Sequence, residues 1–213
     1  RRQRQMCIRD RLNALELYKP KLKEGLNNFK LIMLGNLDPG IQIDILSQIE
    51  NDDKFVILDT MNYWIDNTEK KLFEIISKVN LIVINDEESK MIAKSDSLQK
   101  CAEHIINCGP EYVIIKKGSK GAELFSKQKK SIIPAFNIKS VVDPTGAGDT
   151  FVGGICGYLN SRPKIDFVEL HNSMIYGTVI ASFCIEEFGL AGLQKLKKEN
   201  IESRIKTFNK YLL

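Results

Sequence analysis

The segment KFVILDTMNYWIDNTEKKLFEIISKVNLIVINDEE, residues 54–88, decides the fold. Two short apolar runs, residues 55–58 and 81–84, flank an amphipathic stretch over residues 68–79. Both apolar runs are continuously rather than alternately hydrophobic, which is typical of parallel strands covered on both faces. The segment is therefore predicted to form a strand–helix–strand unit.

The same pattern continues on both sides of this segment. Upstream, a strand is predicted over residues 30–35 and a helix over residues 39–50, with Asp38 as its N-cap and Pro39 in its first turn. Further elements are predicted downstream: helices over 86–94 and 96–107, strands over 112–116, 122–126 and 130–134, and helices over 149–159, 167–188 and 201–211. We therefore expect an α/β fold with a mostly parallel central sheet.

Composition indicates one globular domain and excludes several classes of function. The chain has 213 residues, of which 43% are hydrophobic and 27% charged. Its formal charge of +4 comes from residues 1–11, which hold five Arg and one Asp and leave 26 basic and 26 acidic residues elsewhere. A nucleic-acid partner is therefore not expected. No apolar run approaches the roughly 18 residues of a membrane span, so no membrane partner is expected either.

Cysteine usage and the first residues bear on location. The five cysteines form no C-x-x-C pair, and an odd count without a secretory signal favours reduced thiols and a cytoplasmic protein. Residues 1–11 lack an initiator Met and an apolar stretch, and are predicted to be a non-native or disordered tail. Residues 12–213 are predicted to be a single, partial domain whose native N-terminal sequence is missing.

A glycine-rich turn carries the main functional signal. In DPTGAGDTFVGG, residues 143–154, Gly146 and Gly148 let the backbone turn its N–H groups outward at the start of a helix. Asp149 falls in that helix's first turn, where it could accept a proton from a hydroxyl attacking a terminal phosphate. The residues alone also fit a structural turn in which Asp149 compensates the helix dipole.

Polar segments follow three of the predicted strands. Residues 59–62, 85–88 and 117–121 come directly after strands, and the carboxyl ends of parallel strands open onto one rim of the sheet. We expect the glycine-rich turn to join them there.

These residues resemble a known family. Residues 143–154 resemble the C-terminal signature of the ribokinase-like (PfkB-type) carbohydrate and nucleoside kinases. Three further segments resemble that family's motifs in the same order: residues 85–88 its N-x-x-E motif, residues 117–122 its nucleotide-side G-x-x-G loop, and residues 181–189 the helix end near the adenine site. The similarity runs from about residue 30 to about residue 195. It implies a three-layer α-β-α fold in which the N-terminal strands and lid are missing.

The resemblance implies ATP-dependent transfer of the γ-phosphoryl group to a hydroxyl of a sugar or nucleoside. It makes Asp149 the general base, and makes Gly146, Ala147 and Gly148 an anion hole whose N–H groups stabilise the transferred phosphoryl. Lid strands often mediate pairing in the family, so the resemblance allows a homodimer of the full-length protein but leaves the oligomeric state open.

The resemblance also names nucleotide and metal ligands. Asn85 and Glu88 match the pair that organises Mg²⁺ and its water shell. The other implied nucleotide-binding residues are Lys117, Gly118, Gly121, Ala181 and Ser182. By themselves, Asn85 and Glu88 are more typical of a capped helix with an acidic first turn than of a metal site. The two loop glycines also fit a tight hairpin connection, and both uses can hold at once.

Two further pairs are candidate ligands. Asp143 and Thr145 resemble positions that line a monovalent-cation site, such as one for K⁺, in some relatives. Asp59 and Asn62 resemble a D-x-N strand-end motif with one residue inserted, and are candidates for the substrate-pocket wall, with a structural role as the alternative.

Other functions fit the sequence less well. Gly146 and Gly148 begin like a dinucleotide fingerprint, but Phe151 occupies the place of its third glycine, and neither a Walker A motif nor protein-kinase motifs are present. A nucleotide-binding regulatory or scaffold protein of the same fold, without catalysis, remains the alternative. Retention of Asp149 beside both glycines favours the enzyme.

Overall fold

The computed structural model describes residues 18–22, 29–49 and 53–212, and the predicted tail over residues 1–11 lies outside them. In the described part of the chain, six strands form one sheet in sequence order. The strands are β1 (Leu31–Leu34), β2 (Phe55–Leu58), β3 (Leu81–Asn85), β4 (Tyr112–Lys116), β5 (Ala122–Phe125) and β6 (Lys130–Ile133). Neighbours from β1 to β4 pair in parallel, whereas β5 and β6 pair antiparallel. The prediction of a mostly parallel sheet is confirmed.

Helices connect and cover the strands. They are α1 (Pro39–Ser47), α2 (Asn62–Asn67), α3 (Glu69–Ile76), α4 (Asp86–Ala93), α5 (Leu98–Asn107), α6 (Ala147–Leu159), α7 (Phe167–Cys184), α8 (Ala191–Gln194) and α9 (Lys198–Leu212). As predicted, Asp38 caps α1, and its side chain accepts a hydrogen bond from Gly40 N–H at 2.7 Å.

Several helix ends lie up to three residues from the predicted positions, and three differences are larger. The short helices α2 and α8 were not predicted. Helix α2 has no capping side chain. Its buried Trp64 holds it in place, and Trp64 Nε1 donates to Asn36 Oδ1 at 2.9 Å. Helix α7 ends four residues earlier than predicted, and the carbonyl of Ile185 just beyond it accepts N–H groups from Val142 and Asp143. Tertiary contacts therefore determine these boundaries.

Each face of the sheet has its own apolar core. Alternate strand residues such as Leu58, Ile84 and Ile115 pack on one face with helices α3, α4 and α5. The residues between them, such as Ile57 and Val83, pack on the other face with α6, α7 and α9. Burial on both faces explains why the strand sequences are continuously apolar, and it confirms the three-layer α-β-α architecture.

Helices α6 and α7 approach so closely that their backbones touch. A Cβ atom added at Gly154 would lie 2.8 Å from Gly177 Cα, and one added at Gly177 would lie 2.6 Å from the carbonyl oxygen of Phe151. This contact fixes α6, whose N-terminus carries the glycine-rich turn.

Within the described residues, no helix combines the length and the apolar character that crossing a membrane requires.

We predict that Gly154→Ala lowers the free energy of unfolding by about 1–3 kcal/mol, because the new methyl group must push the two helices apart. The matched control is Gly157→Ala on the exposed side of α6, where an added Cβ meets no atom within 4 Å. That change should stabilise the protein by up to about 1 kcal/mol, since Ala favours helix more than Gly does. Denaturant titrations measure both values. Equal effects of the two substitutions would contradict the close helix contact.

Candidate active site

Three neighbouring strands end in polar residues at one rim of the sheet. Asp59 directly follows β2, Asn85 ends β3, and Lys116 ends β4. Asn85 and Lys116 are register partners across the β3–β4 pair. Asp59 and Asn85 open two of the three predicted polar segments, whereas Lys116 directly precedes the third, residues 117–121.

Lys116 is the central cation of this rim. Its Nζ lies 3.6 Å from Asp59 Oδ1, and the side chains are only 21% and 11% exposed. Lys116 also interacts electrostatically with Glu88. Solvent screens such a pair weakly, so its charges influence every neighbouring ionisable group.

Opposing effects act on Asp59. Burial raises the pKa of its carboxyl group above the usual range, Lys116 partly offsets that rise, and the negative charge of Asp149 adds to it. Asp149 is thus close enough to Asp59 for their charges to interact, although it lies 90 residues away in the chain. The rim and the glycine-rich turn form one electrostatic unit.

Asn85 and Glu88 form a reciprocal capping box at the start of α4. The Glu88 N–H donates to Asn85 Oδ1, and the Asn85 N–H donates to Glu88 Oε2, both at 2.8 Å. Burial raises the pKa of Glu88 to about 7, against the opposing effects of the Asn85 N–H and Lys116. The pair therefore caps α4, as in the structural alternative given by the sequence. The capping box uses one carboxylate oxygen of Glu88 and leaves the other outside it.

The glycine-rich turn presents backbone donors at the start of α6. Gly146 adopts the left-handed conformation with φ +79°. The Ala147 N–H donates to the carbonyl of Pro144 at 3.3 Å, and the first helical hydrogen bond runs from Thr150 N–H to the carbonyl of Gly146 at 2.9 Å. The N–H groups of Gly148 and the exposed Asp149 thus precede the first helical bond, as expected of anion donors. Within the predicted hole, Ala147 is already engaged.

Gly148 connects this turn with the strand rim. A Cβ atom added at Gly148 would lie 3.5 Å from Lys116 Nζ. The Lys116 ammonium group therefore lies beside Gly148, in the first turn of α6.

The end of α7 holds the turn in place. The N–H groups of Val142 and Asp143 donate to the carbonyl of Ile185 at 2.9 and 3.4 Å. Asp143 Oδ1 accepts the Thr145 N–H at 3.0 Å, and this hydrogen bond lowers the pKa of Asp143. Asp143 thereby stabilises the turn itself, and its assignment with Thr145 to a monovalent cation stays a prediction.

The loop after β4 is a tight hairpin connection. Residues Gly118–Lys120 form a 3-10 turn, and Lys117 Nζ pairs with Glu123, which also binds Lys130 Nζ at 2.7 Å. Gly121 has φ +87°, and a Cβ there would collide with the carbonyl of Ile133. Lys117 and Gly121 therefore have structural roles. Nucleotide binding by Lys117, Gly118 and Gly121 stays a prediction.

Two predicted nucleotide-binding residues lie in the last turn of α7. The hydroxyl of the buried Ser182 donates to the Val179 carbonyl at 2.6 Å and accepts from Arg204 Nη1 at 2.9 Å. That hydroxyl serves the packing of α7 against α9, whereas its neighbour Ala181 is only partly buried. Their nucleotide role stays a prediction.

The two substrate candidates separate in the structure. Asp59 is part of the charged rim, whereas Asn62 opens α2 three residues later. Contact with a substrate stays a prediction for both.

The sequence analysis missed two rim residues. Lys116 carried a usable signal, since a charged residue ends the otherwise apolar strand YVIIK at the carboxyl edge. Gln42 carried none. Its buried Nε2 donates to the carbonyls of Gly35 at 2.7 Å and Asp59 at 3.3 Å, which ties the ends of β1 and β2 together.

Asn85 and Glu88 fit a magnesium ion held largely through water. Over the described residues, no three His, Cys, Asp or Glu side chains group as metal ligands. A carboxylate has about four acceptor sites, so the capping box leaves Glu88 able to accept more hydrogen bonds or a cation. Magnesium usually keeps several waters and needs only one or two carboxylates from the protein.

Comparison with known proteins agrees with this geometry. Residues 5–196 match the model of the pfkB family carbohydrate kinases. The cytidine kinase of Thermococcus kodakarensis is 30% identical over 147 residues, covering 66% of this chain and 52% of that protein. The nucleoside kinase of Methanocaldococcus jannaschii is 30% identical over 124 residues, covering 57% of this chain and 38% of that protein.

Solved structures share the fold. A crystal structure of the M. jannaschii nucleoside kinase superimposes with a TM-score of 0.71 at 22% identity, covering 92% of this chain and 60% of that one. The ribokinase of Giardia lamblia gives a TM-score of 0.74 at 16% identity, covering 86% of this chain and 61% of that one. The chain thus spans about half the length of the cytidine kinase and about 60% of these solved chains.

We predict that Glu88 makes the protein less stable as pH rises. Its folded pKa of about 7 lies above the ordinary value of 4.5, so its stabilising contribution is complete below pH 4.5 and disappears as pH rises through 7. Between pH 5 and pH 8, the natural chain should lose about 2–3 kcal/mol more unfolding free energy than Glu88→Gln, which keeps the capping acceptor. Urea titrations in chelator-treated buffer measure this difference. The exposed neighbour gives the control Glu87→Gln, which should follow the natural chain; a flat difference for Glu88→Gln would refute the shifted pKa.

Proposed function

Because this chain belongs to the pfkB family of carbohydrate kinases, we propose that it catalyses ATP-dependent transfer of the γ-phosphoryl group to a hydroxyl of a sugar or nucleoside. One observation carries the proposal: the start of α6, with its N–H donors and Asp149, lies against the charged strand rim through Gly148 and Lys116. N–H donors, a carboxylate and a half-buried cation therefore lie near one another. Phosphoryl transfer requires this combination.

Asp149 and the neighbouring backbone have complementary roles in the proposed reaction. The acceptor oxygen forms a bond to the γ-phosphorus while the bond from that phosphorus to the bridging oxygen of ADP breaks. Asp149, exposed in the first turn of α6, takes the proton of the attacking hydroxyl. The N–H groups of Gly148 and Asp149, reinforced by the dipole of α6, stabilise the charge on the transferred group.

Asn85 and Glu88 are the proposed magnesium-organising residues. When bound, Mg²⁺ would neutralise and orient the nucleotide phosphates. Glu88 suits this role because its pKa of about 7 lets a nearby cation convert it fully to the carboxylate. Asn85 holds that carboxylate in place through the capping box.

The acceptor is a small molecule with a free hydroxyl. Two relatives that are 30% identical over more than 120 residues are named as a cytidine kinase and a nucleoside kinase. Nucleosides therefore come first in a panel of acceptors, followed by ribose and fructose. Phosphate transfer from radiolabelled ATP reports on each acceptor without assuming its identity.

We predict that Asp149→Asn lowers kcat by about 10²–10⁴ with an accepted substrate, because the hydroxyl loses its base. Affinity for ATP should change little, since the backbone donors remain. The control Asp96→Asn removes a charge from a fully exposed side chain and should leave both values unchanged.

The outcomes separate three functions. Unchanged turnover in Asp149→Asn would show that Asp149 is not the base. ATP binding without phosphorylation of any acceptor would favour a nucleotide-binding regulatory protein of the same fold. No ATP binding at all would refute both.

We also predict that Glu88→Gln raises the Mg²⁺ concentration needed for half-maximal ATP binding by about 10–100-fold, as loss of a metal-organising residue typically does. Glu87→Gln removes the same charge from an exposed neighbour and serves as the control. Calorimetric titrations of ATP at graded Mg²⁺ concentrations measure the effect. Equal responses of the two variants would mean that Glu88 only caps α4.

A further inference from the structure

We propose that Lys116 binds the γ-phosphoryl group of ATP and gives the site its preference for ATP over ADP. This inference rests on the proposed kinase function and adds to it a residue that none of the sequence motifs contains. It follows from the position of one ammonium group relative to the anion donors, the surrounding carboxylates and the other lysines of the rim.

The position of Lys116 is fixed by the sheet. Its backbone pairs with Asn85 on one side and with Ala122 on the other, and the four residues before it in β4 are all buried. A side chain that is only 21% exposed has little freedom to turn away into solvent. The ammonium group is therefore held at the rim before any ligand binds.

Lys116 Nζ lies beside the proposed anion hole. A Cβ atom added at Gly148 would lie 3.5 Å from Nζ, which is an ordinary van der Waals contact. The ammonium group is therefore next to that residue. An anion that accepts the Gly148 N–H consequently lies within reach of Nζ. An ammonium group has three N–H donors, and Asp59 at 3.6 Å engages at most one of them.

The negative charges around the rim also favour a cation at the position of Lys116. Asp59, Glu88 and Asp149 are acidic groups whose charges act on one another or on Lys116. Next to them, a nucleotide phosphate would meet like charges, which costs binding free energy. Lys116 interacts with two of these carboxyl groups and offsets that repulsion.

Two neighbouring lysines form ion pairs with a carboxylate outside the rim. Lys117, just after β4, and Lys130 in β6 both pair with Glu123 in β5. Although Lys117 is the residue that sequence similarity favoured, Lys116 is the one whose ammonium faces the start of α6.

The γ-phosphoryl is the group that Lys116 reaches. The proposed transfer requires the γ-phosphoryl to occupy the space beside Asp149 and the Gly148 N–H, and Lys116 borders that same space. ADP lacks this group. Loss of the Lys116 charge should therefore affect ATP and ADP differently, which a purely structural role would not cause.

The test compares the binding of a non-hydrolysable ATP analogue and of ADP, both with Mg²⁺, by titration calorimetry. Lys116→Met should weaken binding of the analogue by about 10–100-fold and that of ADP by less than about threefold, the loss expected for one charge-assisted contact. Lys116→Arg keeps the charge and should recover most of the preference. Lys100→Met, an exposed change on α5, should bind both nucleotides like the natural chain.

A second variant guards against a structural effect of the unpaired Asp59. Asp59→Asn combined with Lys116→Met also removes the carboxylate that forms the ion pair with Lys116, and it should lose the ATP preference to the same extent as Lys116→Met. Equal losses for both nucleotides in both variants, or an unchanged ATP preference, would overturn this inference alone. If the natural chain binds neither nucleotide, the proposed function fails together with it.

Discussion

Parallel pairing of β2, β3 and β4 places Asp59, Asn85 and Lys116 at one edge of the sheet, although they are separated by up to 57 residues of sequence. The strands can lie there only because both of their faces are buried under helices. Packing of the core thus sets the positions of charged groups that themselves contribute little to packing. The glycine contact between α6 and α7 then fixes the remaining element, the start of α6, against that edge.

The rim has an energetic cost that burial makes unavoidable. Partly burying Lys116 and Asp59 removes hydration that their attraction only partly replaces, and a well-packed apolar pair would often be more stable. Glu88 shows the same conflict, since its pKa of about 7 means that folding opposes its charged form at neutral pH. Ionisable groups with shifted pKa values are common at functional sites. We interpret the rim as stability given up for the binding of a magnesium–nucleotide complex.

The accuracy of the sequence predictions followed the physical origin of each element. The strands were predicted to within one or two residues because continuous apolar runs reflect burial on both faces, which is a local signal. Helix α2 was missed because Trp64 is held by Asn36, a residue 28 positions away that no local pattern reveals. The charge that ends β4 was a local signal for Lys116, but the importance of this residue depends on the approach of Gly148, which exists only after α6 has packed on α7.

The two glycines of the turn serve different physical needs. Gly146 adopts φ +79°, a conformation that side chains disfavour, so its role concerns the backbone. Gly148 has no such conformation, and an added Cβ would make an ordinary contact of 3.5 Å with Lys116 Nζ. A methyl group there would therefore be tolerated by the fold, but it would occupy space between the ammonium and the first-turn N–H groups. In the proposed reaction, the absence of a side chain at Gly148 would keep that space open to the transferred phosphoryl group, so this glycine is better explained by the proposed binding than by folding.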